Sequence, residues 1–297
     1  MVWQAFVRSW LQQQVRSKLA EQLREQAAGG AAQAADDPAE TIACDVGVVF
    51  ALGIELGGFE DLLSGVRVTR TRGCIVRRGT LAGRGVAVVE TGIGREHAAR
   101  GTEVLIAGHR PRWIVSAGFA GGLVEKLSRG DVVMANEIAS PAGPRLAVDL
   151  RVDPASLATT PGVHVGRLLT VDSIVAEPEA KRALARQHEA IAVDMESWHV
   201  AEACRQARTR FLCVRVISDP VDEALPADVL RLANQTNVAS RLGAATGALW
   251  RRPGSIKDMW RLKENALVCS DRLAKFLAEM VAQLPPERGA IESGDPG

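Results

Sequence analysis

Short, wholly apolar runs that alternate with helix-patterned stretches restrict this chain more than any other feature. "VGVVFAL" (46–52), "GVAVVET" (85–91), "WIVSAG" (113–118), "DVVMANEI" (131–138), "VHVGRLLTV" (163–171) and "FLCVRVISD" (211–219) each read as a buried strand. Helical patterns fall between them, over about 95–107 with Gly108 as the stop, over 178–188, and from a strand at 190–193 through about Ala207. Buried strands separated by helices imply an α/β fold with a largely parallel sheet. "VRVTR" (66–70) and "CIVRRGTL" (74–81) add an antiparallel pair.

Two flanks differ from this core. Residues 2–25 carry Val2, Trp3, Phe6, Trp10, Leu11, Val15, Leu19 and Leu23 at helical spacing, and Ala/Gly-rich "AAGGAAQAADDPAE" (27–40) reads as a linker. Beyond about Pro226 the pattern is helical again, through "LWRRPGSIKDMWRL" (249–262) and a closing helix near 264–284. The expected organisation is a helical extension (1–26), a linker (27–41), a catalytic domain (42–249) and a helical tail (250–297). Trp3, Trp10, Trp250 and Trp260 lie in the flanks beside Arg8, Arg16, Lys18, Arg24, Arg251, Arg252 and Arg261. That composition suits either packing helices or peripheral contact with an anionic membrane.

Several classes are disfavoured. A net charge of +1 gives no footprint for nucleic acid. Five cysteines without C-x-x-C spacing point to a reduced, cytoplasmic setting, and five scattered histidines point away from a metal. No apolar run reaches ~18 residues, the length a membrane span needs. "TGIGREHA" (91–98) is a poor dinucleotide fingerprint: His97 replaces the third glycine, and no acidic residue ends the next strand. An oxidoreductase is therefore disfavoured, and no cofactor is expected.

Candidate chemistry gathers at strand ends, where open α/β sheets bind ligands. Glu55 follows the first strand, on an expected loop. The "SAGFAGG" segment (116–122), an expected loop, follows another strand. Met195-Glu196 and Ser218-Asp219 close two more. Singly, each carboxylate reads as helix-end charge or a cap. Together they outline a site, and burial at the end of an apolar strand would raise the pKa of Asp219.

"GVVFALGIEL", "ETGIGREHAARGTEVLI", "PRWIVSAGFAGGLVEKLSRGDVV", "AVDMES" and "FLCVRVISD", in this order, resemble the nucleoside phosphorylase superfamily. The likeness spans about residues 45–225 and is nearest to the 5′-methylthioadenosine/S-adenosylhomocysteine nucleosidases. It implies a three-layer α/β/α fold with a mixed central sheet, a homo-oligomer, and removal of a purine, most often adenine, from a 5′-substituted nucleoside. By position it implies that Asp219 protonates the purine and Glu55 positions the attacking water. Glu196 would bind the sugar hydroxyls and Met195 would pack on the sugar, with Gly118, Phe119, Ser173, Ile174 and Ser218 also at the substrate.

Three departures accompany the likeness. Phe119 stands where the family has Ser or Thr, and Ser173 where the nucleosidases have a base-pocket Phe. Ser116 replaces an Arg of the bacterial phosphorylases, which favours water over phosphate as nucleophile unless Arg95 or another subunit supplies the cation. "AVDMESWHVAEA", "ISDPVDEALPADVL" and "LWRRPGSIKDMWRL" further resemble the hopanoid-associated phosphorylase branch. That likeness implies an alternative, phosphorolysis of a lipid-linked adenine nucleoside. A non-catalytic nucleoside-binding or scaffold protein is the alternative of another class.

Overall fold

The computed structural model describes residues 44–71, 74–149, 160–225 and 256–284, all within one compact unit, Ile42–Gly297. The expected helix 2–25, the linker 27–40 and the segment 226–255 with Trp250 lie outside the described residues. So does the side chain of Trp260.

In chain order the elements are β1 (Val46–Phe50), α1 (Gly53–Glu60), β2 (Ser64–Thr71), β3 (Cys74–Leu81), β4 (Arg84–Glu90), α2 (Arg95–His109), β5 (Trp113–Gly122), β6 (Val132–Ala139), β7 (Leu146–Ala147), β8 (Val163–Thr170), α3 (Pro178–His188), β9 (Ala192–Asp194), α4 (Ser197–Gln206), β10 (Arg210–Asp219) and α5 (Ile256–Gln283). The sheet runs β2-β3-β4-β1-β5 and then closes on itself. β5 pairs with both β9 and β10, and the ring is completed through β8 and β6. β1, β4, β5 and β10 are parallel neighbours, whereas β9 against β5 and β6 against β10 are antiparallel. The sheet is thus mixed, as expected.

Its central strands β1, β4, β5 and β10 are largely apolar because both faces are covered. On one face Val49, Val89, Ile114 and Cys213 pack with Ala98 and Leu105 of α2 and Val200 and Cys204 of α4. On the other, Val48, Phe50, Val115 and Val214 pack with Leu56 and Phe59 of α1 and with Cys269, Leu273, Leu277 and Val281 of α5. Helices on both faces make the three layers. The described part of the tail beyond 249 is one long helix whose Cys269, Leu273, Leu277 and Val281 pack on the core, as the packing alternative for the tail expects.

Three local expectations are corrected. "SAGFAGG" is not a loop but the continuation of β5. Its glycines remain extended because β10 pairs along it to Gly121 and β9 pairs with Gly121 and Gly122. Glu55 lies in the first turn of α1, not in a loop. Gly108 lies inside α2, and Arg110 at φ 41° ends that helix in the left-handed conformation.

Candidate active site

Closing the sheet gathers the carboxyl ends of β1, β5, β8, β9 and β10 around one cavity of ≈ 200 Å³. Glu55, Phe119, Ser173, Ile174, Met195, Glu196, Ser218 and Asp219 all line it, joined by Ala51, Leu52, Ile93, Val171, Val193 and Leu225. Of the nine expected site residues only Gly118 does not line it; Gly118 stands behind Glu55. A Cβ there would come to 2.8 Å from Glu55 Oε1, so the glycine is what lets the carboxylate sit against β5.

Glu55 is buried, at 5% exposure. Its Oε1 accepts from the backbone N–H of Phe119 at 2.8 Å, and its Oε2 accepts from that of Leu52 at 2.9 Å. The second bond is an ordinary cap of α1; the first ties the carboxylate to β5. Burial raises its pKa against the pull of the Phe119 amide and of Arg215.

Glu196 follows the end of β9. Its Oε1 accepts from the N–H of Gly94 at 2.8 Å. Gly92 and Gly94, at φ 91° and 95°, turn the chain so that this N–H faces the site. Burial, then the neighbouring charge of Asp194, pushes the Glu196 carboxyl up to about 8.

Arg215 and Asp194, to which the sequence assigned no role, hold this corner together. Arg215 is buried in the middle of β10 and donates from Nε to Asp194 Oδ2 at 2.9 Å. Its Nη2 reaches the same oxygen at 2.8 Å, Ser116 Oγ at 2.8 Å and Ser197 Oγ at 2.7 Å. Asp194 also accepts from Thr170 Oγ1 at 2.7 Å and from the Ser197 N–H at 3.1 Å. The only hint in the sequence was a charge within the apolar "FLCVRVISD".

Asp219 lies at the end of β10. Its Oδ2 accepts from Lys181 Nζ at 2.7 Å. Ser218 Oγ lies 2.5 Å from Asp219 Oδ1 and 3.3 Å from the carbonyl oxygen of Ala120. The one hydroxyl hydrogen can reach only one of these acceptors; a proton on Oδ1 would satisfy both contacts. Burial raises the pKa of Asp219, opposed by Lys181 and Ser218, so the direction expected from the sequence is the one found. Arg95 lies away from the cavity lining, 64% exposed, with its guanidinium 3.5 Å from Asp172. Among the described residues no cluster suits a metal ion, and no helix is long and apolar enough to cross a membrane.

The sequence pattern of the phosphorylase superfamily matches residues 45–250. The chain belongs to the phosphorylase superfamily. Among relatives in this superfamily, a 5′-methylthioadenosine/S-adenosylhomocysteine nucleosidase of Haemophilus ducreyi is 30% identical over 200 residues, covering 60% of this chain and 86% of that protein. The superfamily fold recurs in the nucleosidase of Neisseria meningitidis, solved with methylthio-immucillin-A. The TM-score is 0.62 at 22% identity, over 81% of this chain and 99% of that one. The S-adenosylhomocysteine nucleosidase of Streptococcus pyogenes, solved with 5-methylthiotubericidin, also has a TM-score of 0.62. Its identity is 20%, over 82% of this chain and 98% of that one. These relatives lend the hopanoid-associated likeness no support.

Proposed function

We propose that the protein hydrolyses the N-glycosidic bond of an adenine nucleoside carrying a 5′ substituent, as its nucleosidase relatives are named for. One observation carries the chemistry. Asp219 has its own cation, whereas Glu55 and Glu196 face the cavity beside a single guanidinium that Asp194 already engages.

Breaking the C1′–N9 bond puts positive charge on the sugar and negative charge on the purine. A carboxyl that holds its proton to a higher pH can hand it to N7, and Asp219 is such a group. On the other side, where among the described residues Glu55 has no cation of its own, its carboxylate favours the cationic sugar. Glu55, its basicity raised by burial, takes a proton from the water that attacks C1′. The electron pair of the broken bond leaves with the base, N7 gains the proton of Asp219, and the products are adenine and a free sugar. Glu196 binds the sugar hydroxyls, and Met195 packs on the ring.

Water is favoured over phosphate for an electrostatic reason. A phosphate dianion needs donors, yet the N–H groups of Leu52, Phe119 and Gly94 are occupied by protein carboxylates, and Arg215 is taken by Asp194, Ser116 and Ser197. An anion entering here would meet the Glu55 carboxylate instead.

Incubation with 5′-methylthioadenosine, followed by the absorbance change on adenine release, tests this reading. Binding without release by folded protein would point to a nucleoside-binding scaffold. Assembly into a homo-oligomer belongs to the same proposal, and light scattering decides it.

A further inference from the structure

Lys181 is the one charged side chain with no exposure at all among the described residues. It lies on α3, on the same face as Leu184 and Ala185, which pack against Leu123, Leu169 and Val193. Its Nζ has three acceptors: Asp219 Oδ2 at 2.7 Å, the carbonyl oxygen of Pro220 at 2.9 Å and that of Glu223 at 2.9 Å. An ammonium has three hydrogens, and here each meets an acceptor. A neutral amine would turn a lone pair toward one of them. The geometry therefore describes a fully hydrogen-bonded cation in direct contact with the proposed acid.

Burying a lysine costs several kcal/mol unless it is paired, and an apolar residue of the same size would pack here at no such cost. Its placement suits the reaction instead. We propose that Lys181 is the positioning residue for proton donation by Asp219: its ammonium stabilises the carboxylate that Asp219 becomes when its proton passes to the leaving purine. This rests on the hydrolytic reading above. In that step the O–H bond of Asp219 breaks, the N7–H bond forms, and Lys181 keeps its three hydrogens throughout. The two carbonyl bonds fix the ammonium on Oδ2 and leave Oδ1 as the oxygen that carries the transferable proton.

The other charged and titratable groups around Asp219 do not take this role. Glu223, in the loop after β10, is an anion held by Arg129. Cys269 approaches from α5 as a buried thiol whose pKa is raised by burial. Ser218 supplies a neutral hydroxyl. Lys181 is the cation in hydrogen-bond contact with the carboxyl.

The test is the pH dependence of Lys181→Met, with Lys181→Gln as a second variant if Met does not fold. Activity should fall as pH rises through the pKa of Asp219. An opposite charge in contact lowers a carboxyl pKa by roughly 1–3 units. The variant should therefore move the basic limb of kcat/KM up by about one pH unit or more, with a plateau kcat at least roughly tenfold lower. On an Asp219→Asn background the same change should add little. A folded variant with an unmoved limb, or equal losses on both backgrounds, would reduce Lys181 to a packing role. A readout independent of turnover separates this from failure of the hydrolytic reading. The ¹³C-carboxyl resonance of Asp219, assigned by its absence in Asp219→Asn, should titrate at higher pH in the lysine variant. An unchanged titration overturns the proposal even if no nucleoside is cleaved.

Discussion

The carboxylate of Glu55 rests directly on the backbone of Gly118: a methyl group there would come to 2.8 Å from Oε1 and 3.1 Å from Cδ. One hydrogen is all the space between β5 and the proposed water-activating group. The Phe119 N–H just beyond fixes the carboxylate in that place. Gly118→Ala must push Glu55 off this seat. Turnover should drop roughly a hundredfold, with a smaller loss in KM, because a misplaced base costs more in the transition state than in binding. Steady-state kinetics on folded protein check this; near-normal kcat would mean that the seat is not needed.

Asp219→Asn removes the transferable proton but keeps the shape. The cleavage rate should fall by roughly a hundredfold or more. Like the protonated acid, the amide offers Lys181 a neutral oxygen acceptor, so stability should change little. Single-turnover rates and thermal melts check the two statements. Retained turnover would remove Asp219 from the chemistry.

Glu196 carries a stability signature. Its carboxyl titrates at about 8 in the fold and near 4.3 in the unfolded chain, so the folded state holds the proton more tightly. The stability linked to this proton is complete below about pH 4.3 and declines until about pH 8. Glu196→Gln has no such proton. The wild-type melting temperature minus that of Glu196→Gln should therefore decrease as pH rises from 5 to 8, and level off above. A flat difference would show that Glu196 is ionised throughout.

Arg215 serves Asp194, Ser116 and Ser197 from the middle of β10. Arg215→Met strands Asp194 as a buried charge and should cost about 3–5 kcal/mol in urea unfolding. Adding Asp194→Asn should recover part of that loss, since the stranded charge is then gone. An unchanged midpoint for Arg215→Met would contradict the pairing.

Much of the framework was legible because buried strands announce themselves as apolar runs. Helix 178–188 was read with the bounds it has, and Asp219 does end its strand. The glycines of "SAGFAGG" misled, since glycine suggests a turn, yet the ladders from β9 and β10 outweigh its weak strand preference. The tail reads as a helix in the sequence. Its helical period was visible, but which sheet face Leu273 and Leu277 would cover depends on chain folding far from them. Asp194, Lys181 and Arg215 showed only as charges within or beside apolar patterns. Their side-chain partners lie 18 to 99 residues away, and pairing over such distances is a property of the closed sheet rather than of local sequence. The site carboxylates were placed largely through family likeness, because each one alone also fits a helix-end role.

The identity of the sugar product decides between water and phosphate as the nucleophile. The protein, freed of phosphate by dialysis, is incubated with 5′-methylthioadenosine, and the products are resolved by mass spectrometry with and without added inorganic phosphate. Adenine and free methylthioribose in equal amounts, at a rate that phosphate does not raise, is the expected result. Adenine release only with phosphate, accompanied by a sugar 1-phosphate, would contradict it and show that an anion does enter beside Glu55 and Glu196.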